Sequence, residues 1–263
     1  MITLFSTCKA FRGSSAIHQV NALTSWHELD AEVMIFGEEA GVWDICKSLG
    51  YRQMTRCSQV DAVPLLDEIF NRAQKAASND YLVYSNGDIV IVDGLEETIC
   101  RINEEFPNFL AVCRRWDVEL DEYLDFDKDW RRKVKRRIKG TGELHSTCSS
   151  DIFAFKRPLW ELPAFSVGMP GWDNWMMWRA TAEGWPVVDM TPVVTLAHPR
   201  HGYGPNMAET YAHRWWCNHP LAMRNADLLG RGRQYCYKHV AEAGYLWRID
   251  DKGIFKVERE APG

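Results

Sequence analysis

The stretch Tyr81-Leu82-Val83-Tyr84-Ser85-Asn86-Gly87-Asp88-Ile89-Val90-Ile91-Val92 decides how this chain is read. A short apolar run stops on polar turn residues and then resumes, the pattern of a buried strand that ends in a tight loop. Asn-Gly-Asp is a good turn sequence in its own right. It is also a loop that ends a strand on a carboxylate, which can hold a hard divalent cation through oxygen and bridge two phosphates. Gly87 would let the backbone approach a ligand closely.

Upstream, Ile2–Thr7 reads as a strand that stops in a polar loop, Cys8 to Ser15. A helix follows, with Val20, Leu23, Trp26 and Leu29 at spacings near three. Ala31 to Gly37 reads as a second strand closed by glycine, Gly41 to Leu49 as a helix, and Pro64 as the opening of a third helix through Ala73. Downstream, Phe109–Cys113, Asp151–Phe155, Val187–Asp189 and Val193–Leu196 read as strands, and Asp173–Ala182 as a Trp/Met-rich helix. Strands alternating with helices predict an α/β, Rossmann-like fold, with one mostly parallel sheet flanked by helices on both faces. Ligands of such sheets sit outside the carboxyl ends of the strands. The loops Ser6–Ser15, Gly37–Gly41 and Ser85–Asp88 are therefore the expected functional ones.

Composition narrows the class. The 263 residues are 46% hydrophobic and 25% charged, which excludes disorder and small disulfide scaffolds. The net charge of −5 carries no global signature for nucleic acid. No apolar run is long enough to span a bilayer and the first residues lack a signal-peptide pattern, so a cytoplasmic protein with no membrane insertion is expected. Eight cysteines without a C-x-x-C pair point to reduced, mostly buried thiols. Twelve tryptophans suit sugar rings and bases, although an aromatic core accounts for most of them.

Taken in order, these segments resemble the GT-A glycosyltransferases, especially the inverting family-2-like group, from Ile2 to about His198. Thr3 to Arg12 is similar to the first strand and nucleotide loop, which implies donor contacts from Ser6, Thr7, Lys9 and Arg12. Phe36-Gly37-Glu38-Glu39 is similar to the second strand end, where an acidic residue, here Glu38, meets base or ribose. Asn71 to Ala77 resembles the helix that supplies an arginine, here Arg72, behind the nucleotide. Tyr84 to Asp88 occupies the place of the D-x-D motif, with Asn86 and Gly87 at the donor and Asp88 as metal ligand. Asn86 replaces the first aspartate, leaving Asp88 as the one certain acidic ligand there.

Gly171-Trp172-Asp173 resembles the start of the acceptor-side helix, followed by Arg179 and Gly184, with Trp172 in place of an acidic residue. That resemblance makes Asp173 the catalytic base. Inverting transfer needs a base on the acceptor hydroxyl, and neighbouring tryptophans would desolvate the carboxylate and raise its pKa. The competing reading of Asp173 is a helix N-cap. His198, after the last strand, is the expected second metal ligand, chosen over His201; a solvent-facing loop histidine is the alternative. Gly202 to Pro205 reads as a hinge.

The segment Arg131–Lys139 carries seven positive charges in nine residues, directly after seven acidic residues from Asp117 to Asp129. Trp130, Val134 and Ile138 give it one apolar stripe. The segment is expected to be a solvated charged helix, with the two charge runs able to neutralise one another across a hairpin; a polyanionic acceptor held through residues such as Arg136 is the alternative. His145, Asp151 and Trp172 complete the weak acceptor set.

The resulting expectation is a single domain. A catalytic region covers 1–200, with a donor half of about 1–93 and an acceptor half of about 94–200, and an extension over 201–263 packs on it. Its activity would be a metal-dependent (Mn2+ or Mg2+), inverting, hexosyltransferase-type transfer from a nucleotide-diphosphate sugar, UDP-linked by preference. A glycan hydroxyl is the default acceptor. A hydroxylated base in DNA, a nucleotidyltransferase, and a non-catalytic sugar- or nucleic-acid-binding module are the competing readings. The first loop has too few glycines for the nucleotidyltransferase.

Overall fold

The computed structural model describes residues 1–147, 150–200, 219–230, 245–250 and 253–258. His201 and the Gly202–Pro205 hinge lie outside the described residues.

In chain order the first elements are β1 (Ile2–Thr7), α1 (Gly13–His27), β2 (Ala31–Phe36), α2 (Val42–Leu49), β3 (Arg52–Met54), β4 (Gln59–Val60), β5 (Val63–Pro64), α3 (Leu66–Ala76), β6 (Tyr81–Ser85) and β7 (Val90–Asp93). There follow α4 (Leu95–Glu105), β8 (Leu110–Cys113), β9 (Trp116–Val118), α5 (Trp130–Thr141), β10 (Glu143–Leu144) and β11 (Ile152–Lys156). The last are α6 (Trp172–Ala182), β12 (Val187–Asp189), β13 (Thr195–Pro199), α7 (Pro220–Leu228), β14 (Tyr245–Asp250) and β15 (Gly253–Glu258).

Nine strands form the central sheet in the order β15-β14-β12-β8-β11-β6-β1-β2-β3. β1 pairs in parallel with β2 and β6, and β12 in parallel with β8 and β14. β11 runs antiparallel between β6 and β8. A second sheet, β10-β9-β13-β7, lies beside it.

The strand pleat explains how both faces are covered. Along β1, Leu4 and Phe5 point to opposite sides, as successive residues in a strand must. Leu4 joins Val33, Ile35 and Val83 against Leu23 and Trp26 of α1, Cys46 of α2 and Ile99 of α4. Phe5 joins Phe36, Tyr84 and Phe153 against Phe70 of α3 and Met176 of α6. Phe5 and Phe70 meet edge to face at 4.9 Å. Trp130, Val134 and Ile138 of α5 cover the second sheet at Val90, Val92 and Val118.

Several elements differ from expectation. Pro64 does not open a helix: it sits in the two-residue strand β5, α3 begins at Leu66, and the backbone N–H of Val167 bonds to the Pro64 carbonyl. Leu29 lies beyond the end of α1. The strand expected over Val193–Leu196 begins at Thr195 because Val193 and Val194 both bond back to Met190 in a turn. The helix α4 and the hairpin β14–β15, which extends the central sheet, have no counterpart in the sequence reading. The basic segment is the expected charged helix, α5, but its charges are not met across a hairpin: Lys133 pairs with Asp127 and Arg132 with Asp129, while Arg131 pairs with Glu28 and Lys135 with Asp93.

Candidate active site

The antiparallel insertion of β11 builds the site. Ile152 stands opposite both Ser85 of β6 and Cys113 of β8, so the beginning of β11 and the carboxyl ends of β6 and β8 share one sheet edge. The Asn86 backbone N–H donates to the Asp151 carbonyl at 3.1 Å, and its side-chain Nδ2 donates to Asp151 Oδ1 at 2.9 Å. Asn86 thus ties the loop to β11 by donating to a carboxylate. An aspartate at this position would set two anions face to face.

Gly87 is the residue this loop needs. A Cβ there would stand 2.5 Å from the Thr7 carbonyl oxygen and 3.2 Å from the sulfur of Cys8. The loop after β6 therefore closes onto the end of β1, where Ser6 Oγ donates to the Ser85 carbonyl at 2.6 Å.

Beyond the loop, β9 and β13 run parallel, with His198 in register with Asp117. His198 is 7% exposed, and its Nε2 stands 3.6 Å from Asp88 Oδ2. On the other side of the ring, His198 Nδ1 is hydrogen-bonded to Asp117 Oδ1 at 2.9 Å. Asp117 also meets His145 Nδ1 at 2.8 Å and accepts from Arg115 Nε at 2.8 Å. Arg115, itself buried, reaches on to donate to Asp151 Oδ1 at 2.5 Å. One polar network therefore runs from Asp88 through His198, Asp117 and Arg115 to Asp151 and Asn86.

The electrostatics follow from these contacts. Burial of Asp117 would raise its pKa, but bonds from His145, His198 and Arg115 overcome this and hold it well below the ordinary carboxylate range. Burial of His198 works to lower its pKa, but Asp117 and Asp88 outweigh burial and raise it. Asp173 lies in the first turn of α6 and is 9% exposed. Burial, reinforced by the nearby Asp151 charge, pushes its pKa up to about 6 against backbone hydrogen bonds from Asn174, Asp173 and Ser150. Oδ2 of Asp151 is buried without a hydrogen-bond partner.

The donor set at Asp88 and His198 suits a hard or borderline divalent cation. Two atoms 3.6 Å apart can both ligate one ion at about 2.1 Å. Among the described residues no group of three or more His, Cys, Asp or Glu side chains gathers around one point. An ion held there would keep positions for phosphate oxygens and water, as Mg2+ does with one or two carboxylates.

No family model matches the sequence, and no curated protein matches it. Solved structures do. A mannosyltransferase from Pyrobaculum calidifontis, in complex with GDP-Man and Mn2+, is 14% identical with a TM-score of 0.51, over 86% of this chain and 64% of that one. Glucosyl-3-phosphoglycerate synthase from Mycobacterium tuberculosis, in complex with phosphoglyceric acid, is 13% identical with a TM-score of 0.47, over 81% and 76%. TarS from S. aureus, in complex with UDP, is 13% identical with a TM-score of 0.34, over 43% and 35%. The fold is GT-A. The chain spans less than two thirds of the mannosyltransferase's length.

On this GT-A sheet, the residues singled out from sequence fall into two groups. Asn86, Gly87, Asp88, Asp151, Asp173, His145 and His198 gather at the sheet edge just described. Glu38 lies at the end of β2, by a concavity of about 400 Å³ lined by Glu39, Gly41, Trp43, Gln53 and Thr55. Its Oε2 accepts from the Arg56 backbone N–H at 3.2 Å. The loop after β1 is pinned by Gln19, which bonds both the N–H and the carbonyl of Lys9, while Lys9 and Arg12 remain exposed. Ser6 is fully buried and Thr7 half-buried.

Two residues, Arg72 and Trp172, sit differently from their expected roles. Arg72 donates to the carbonyls of Thr55 and Arg56, pairs with Glu68 at 3.0 Å and lies over the Phe36 ring, so its guanidinium holds a loop together. Trp172 is a core residue, 5% exposed, packed on Tyr84 and Phe153. Arg136, by contrast, is exposed on α5, as a contact to an acceptor would require. Arg115 and Asp117 were missed altogether. The available signal was two arginines and an aspartate (Arg114-Arg115-Trp116-Asp117) directly after an apolar strand, but Asp117 also begins an acidic run and reads as part of it.

Proposed function

We propose that this protein is a metal-assisted, inverting glycosyltransferase that moves a sugar from a nucleotide-diphosphate donor, UDP-linked by preference, to an acceptor hydroxyl. The observation that carries the reading is the joining of the Asp88–His198 pair to Asp151, beside a buried carboxylate, Asp173, whose pKa is raised to about 6. The likeness to solved GT-A structures supports it at the level of the fold.

In this mechanism the concavity beside Glu38 and Trp43 takes the nucleobase, and the exposed Lys9 and Arg12 face the diphosphate. Asp88 and His198 would hold Mn2+ or Mg2+, which when bound supplies positive charge to the departing diphosphate. Asp173 Oδ takes the proton of the acceptor hydroxyl. The acceptor oxygen forms its bond to the anomeric carbon as the bond from that carbon to the diphosphate oxygen breaks, and the nucleoside diphosphate leaves with the electron pair. A group with pKa near 6 is ionised at neutral pH yet basic enough to assist. A glycan hydroxyl is the default acceptor. A DNA acceptor is favoured by one observation only, that Arg136, Arg137 and Lys139 on α5 pair with no carboxylate among the described residues.

The test is thermal unfolding with UDP, GDP and Mn2+, singly and combined. UDP with Mn2+ should stabilise the protein more than either alone, by about 2.7 kcal/mol at a hundredfold excess over Kd. Asp88→Asn should remove the metal-dependent part. An unmoved melting temperature at saturating UDP–Mn2+ would end the UDP reading, and a larger shift with GDP would transfer it to guanosine donors.

A further inference from the structure

We propose that Asp117 is the positioning residue of the cation site, fixing the tautomer of His198 and of His145 together. The inference rests on the cation reading given above and adds a residue to it. Asp117 Oδ1 lies 2.9 Å from His198 Nδ1, and Oδ2 lies 2.8 Å from His145 Nδ1. Both oxygens of one carboxylate therefore face the same ring nitrogen of two different imidazoles.

An ionised carboxylate only accepts hydrogen bonds, and a neutral imidazole carries one N–H and one lone pair. Contact with Asp117 thus places the proton on Nδ1 of each ring and the lone pair on Nε2. For His198 that lone pair faces Asp88 Oδ2 at 3.6 Å, the side on which an ion would be shared. A carboxylate behind a ligating histidine also raises its basicity and holds the ring plane.

The carboxylate is itself held. Arg115 Nε donates to Oδ1 at 2.8 Å, and Arg115 is anchored at its far end by Asp151. The His145 backbone N–H donates to the Arg115 carbonyl at 2.9 Å, which fixes the second imidazole against the same strand. Asp117 thus receives three side-chain donors, more than an amide could satisfy.

Asp117→Asn is the discriminating substitution. Asparagine offers one acceptor oxygen and an NH2 group of the same size. Arg115 Nε can only donate and shares Oδ1 with His198, so the amide oxygen takes that side and the NH2 faces His145, which must then accept at Nδ1 and carry its proton on Nε2. His198 keeps its tautomer but loses the carboxylate charge that raises its basicity as a ligand. Two measurements read this. Titration of Mn2+ in the presence of UDP, followed by the electron spin resonance of free Mn2+, should show affinity reduced 10- to 100-fold. Nitrogen-15 histidine spectra of the metal-free protein, at a pH where both rings are neutral, should show Nδ1–H for His145 and His198 in the wild type and its loss from His145 in the variant.

Wild-type binding that Asp88→Asn abolishes and Asp117→Asn leaves intact would overturn the role of Asp117 while sparing the cation site. No Mn2+ binding by the wild type would overturn the cation site, and the role of Asp117 with it. If Asp117→Asn fails to fold, the wild-type spectrum alone decides: an Nε2–H tautomer at His198 refutes the proposal.

Discussion

Replacing Asp173 by asparagine should remove activity and raise stability together. The pKa of this group rises from 3.8 to about 6 because burial disfavours the charged form and Asp151 repels it. The folded state therefore binds its proton more tightly than the unfolded chain does. Its stabilising contribution is fully present below the unfolded pKa near 3.8 and is lost as pH rises through 6. At pH 7 the ionised carboxylate costs about 3 kcal/mol, because each tenfold gain in proton affinity on folding is worth about 1.4 kcal/mol. Asparagine is neutral at every pH and keeps an oxygen for the backbone N–H groups of α6, so it escapes this cost. Urea unfolding should find Asp173→Asn more stable than the wild type at pH 7 by up to that amount, with the gap closing toward pH 4. Transfer, followed by release of the nucleoside diphosphate, should fall about 10²- to 10⁴-fold, the usual worth of a positioned base. In the wild type the acid limb of the rate should bend near pH 6. A variant that turns over normally, or whose stability relative to wild type is lower at pH 7 and does not change on acidification, would refute the reasoning and leave Asp173 a structural residue of the helix start.

Other perturbations test the surroundings. Asn86→Asp restores the acidic pattern of the D-x-D motif but turns the 2.9 Å bond to Asp151 into a contact between two carboxylates. It should lower stability by about 1–3 kcal/mol at pH 7, a loss that thermal unfolding should find shrinking as the carboxyls are protonated. Gaining stability instead would mean that a cation is already bound between them. Reversing the charges of Arg136, Arg137 and Lys139 should reduce transfer to a polyanionic acceptor and flatten its salt dependence, with hydrolysis of the donor by water unchanged. Equal loss of both activities would assign the segment to folding.

Much of this was legible because apolar periodicity reports which faces are buried. β1, β2, β6 and α5 sit within a residue or two of where alternation and the Trp130-Val134-Ile138 stripe put them. Periodicity does not report pairing partners. The antiparallel course of β11, which brings Asp151 to Asn86, leaves no mark in a five-residue apolar segment. Pro64 misled because proline suits both a first helical turn and a short edge strand, and a bond to its carbonyl from Val167, a hundred residues on, decided between them. Arg115 and Asp117 were hidden for a related reason. What sets them apart is contact with His145, Asp151 and His198, and a charge in sequence looks the same whether it faces water or a buried imidazole. Trp172 erred in the other direction, since an aromatic beside a candidate base reads as a cleft wall but serves here as core.

The helix α7 has a bearing on how such a molecule could be rebuilt. Asn225 is fully buried and treats the backbone of Ser166 as a strand would, accepting from its N–H at 2.9 Å and donating to its carbonyl at 3.2 Å. Leu229, just beyond the helix, presses so closely on Gly171 that a Cβ there would collide with it, and Gly171 is the residue from which the Asp173 helix starts. Late sequence thus acts as scaffolding for a buried carboxylate laid down fifty residues earlier. The boundary near residue 200 is therefore no seam along which parts can be exchanged. A recombined protein that swaps in a foreign C-terminal segment must also carry over this brace, or the helix that begins at Gly171 and carries Asp173 will have nothing behind it.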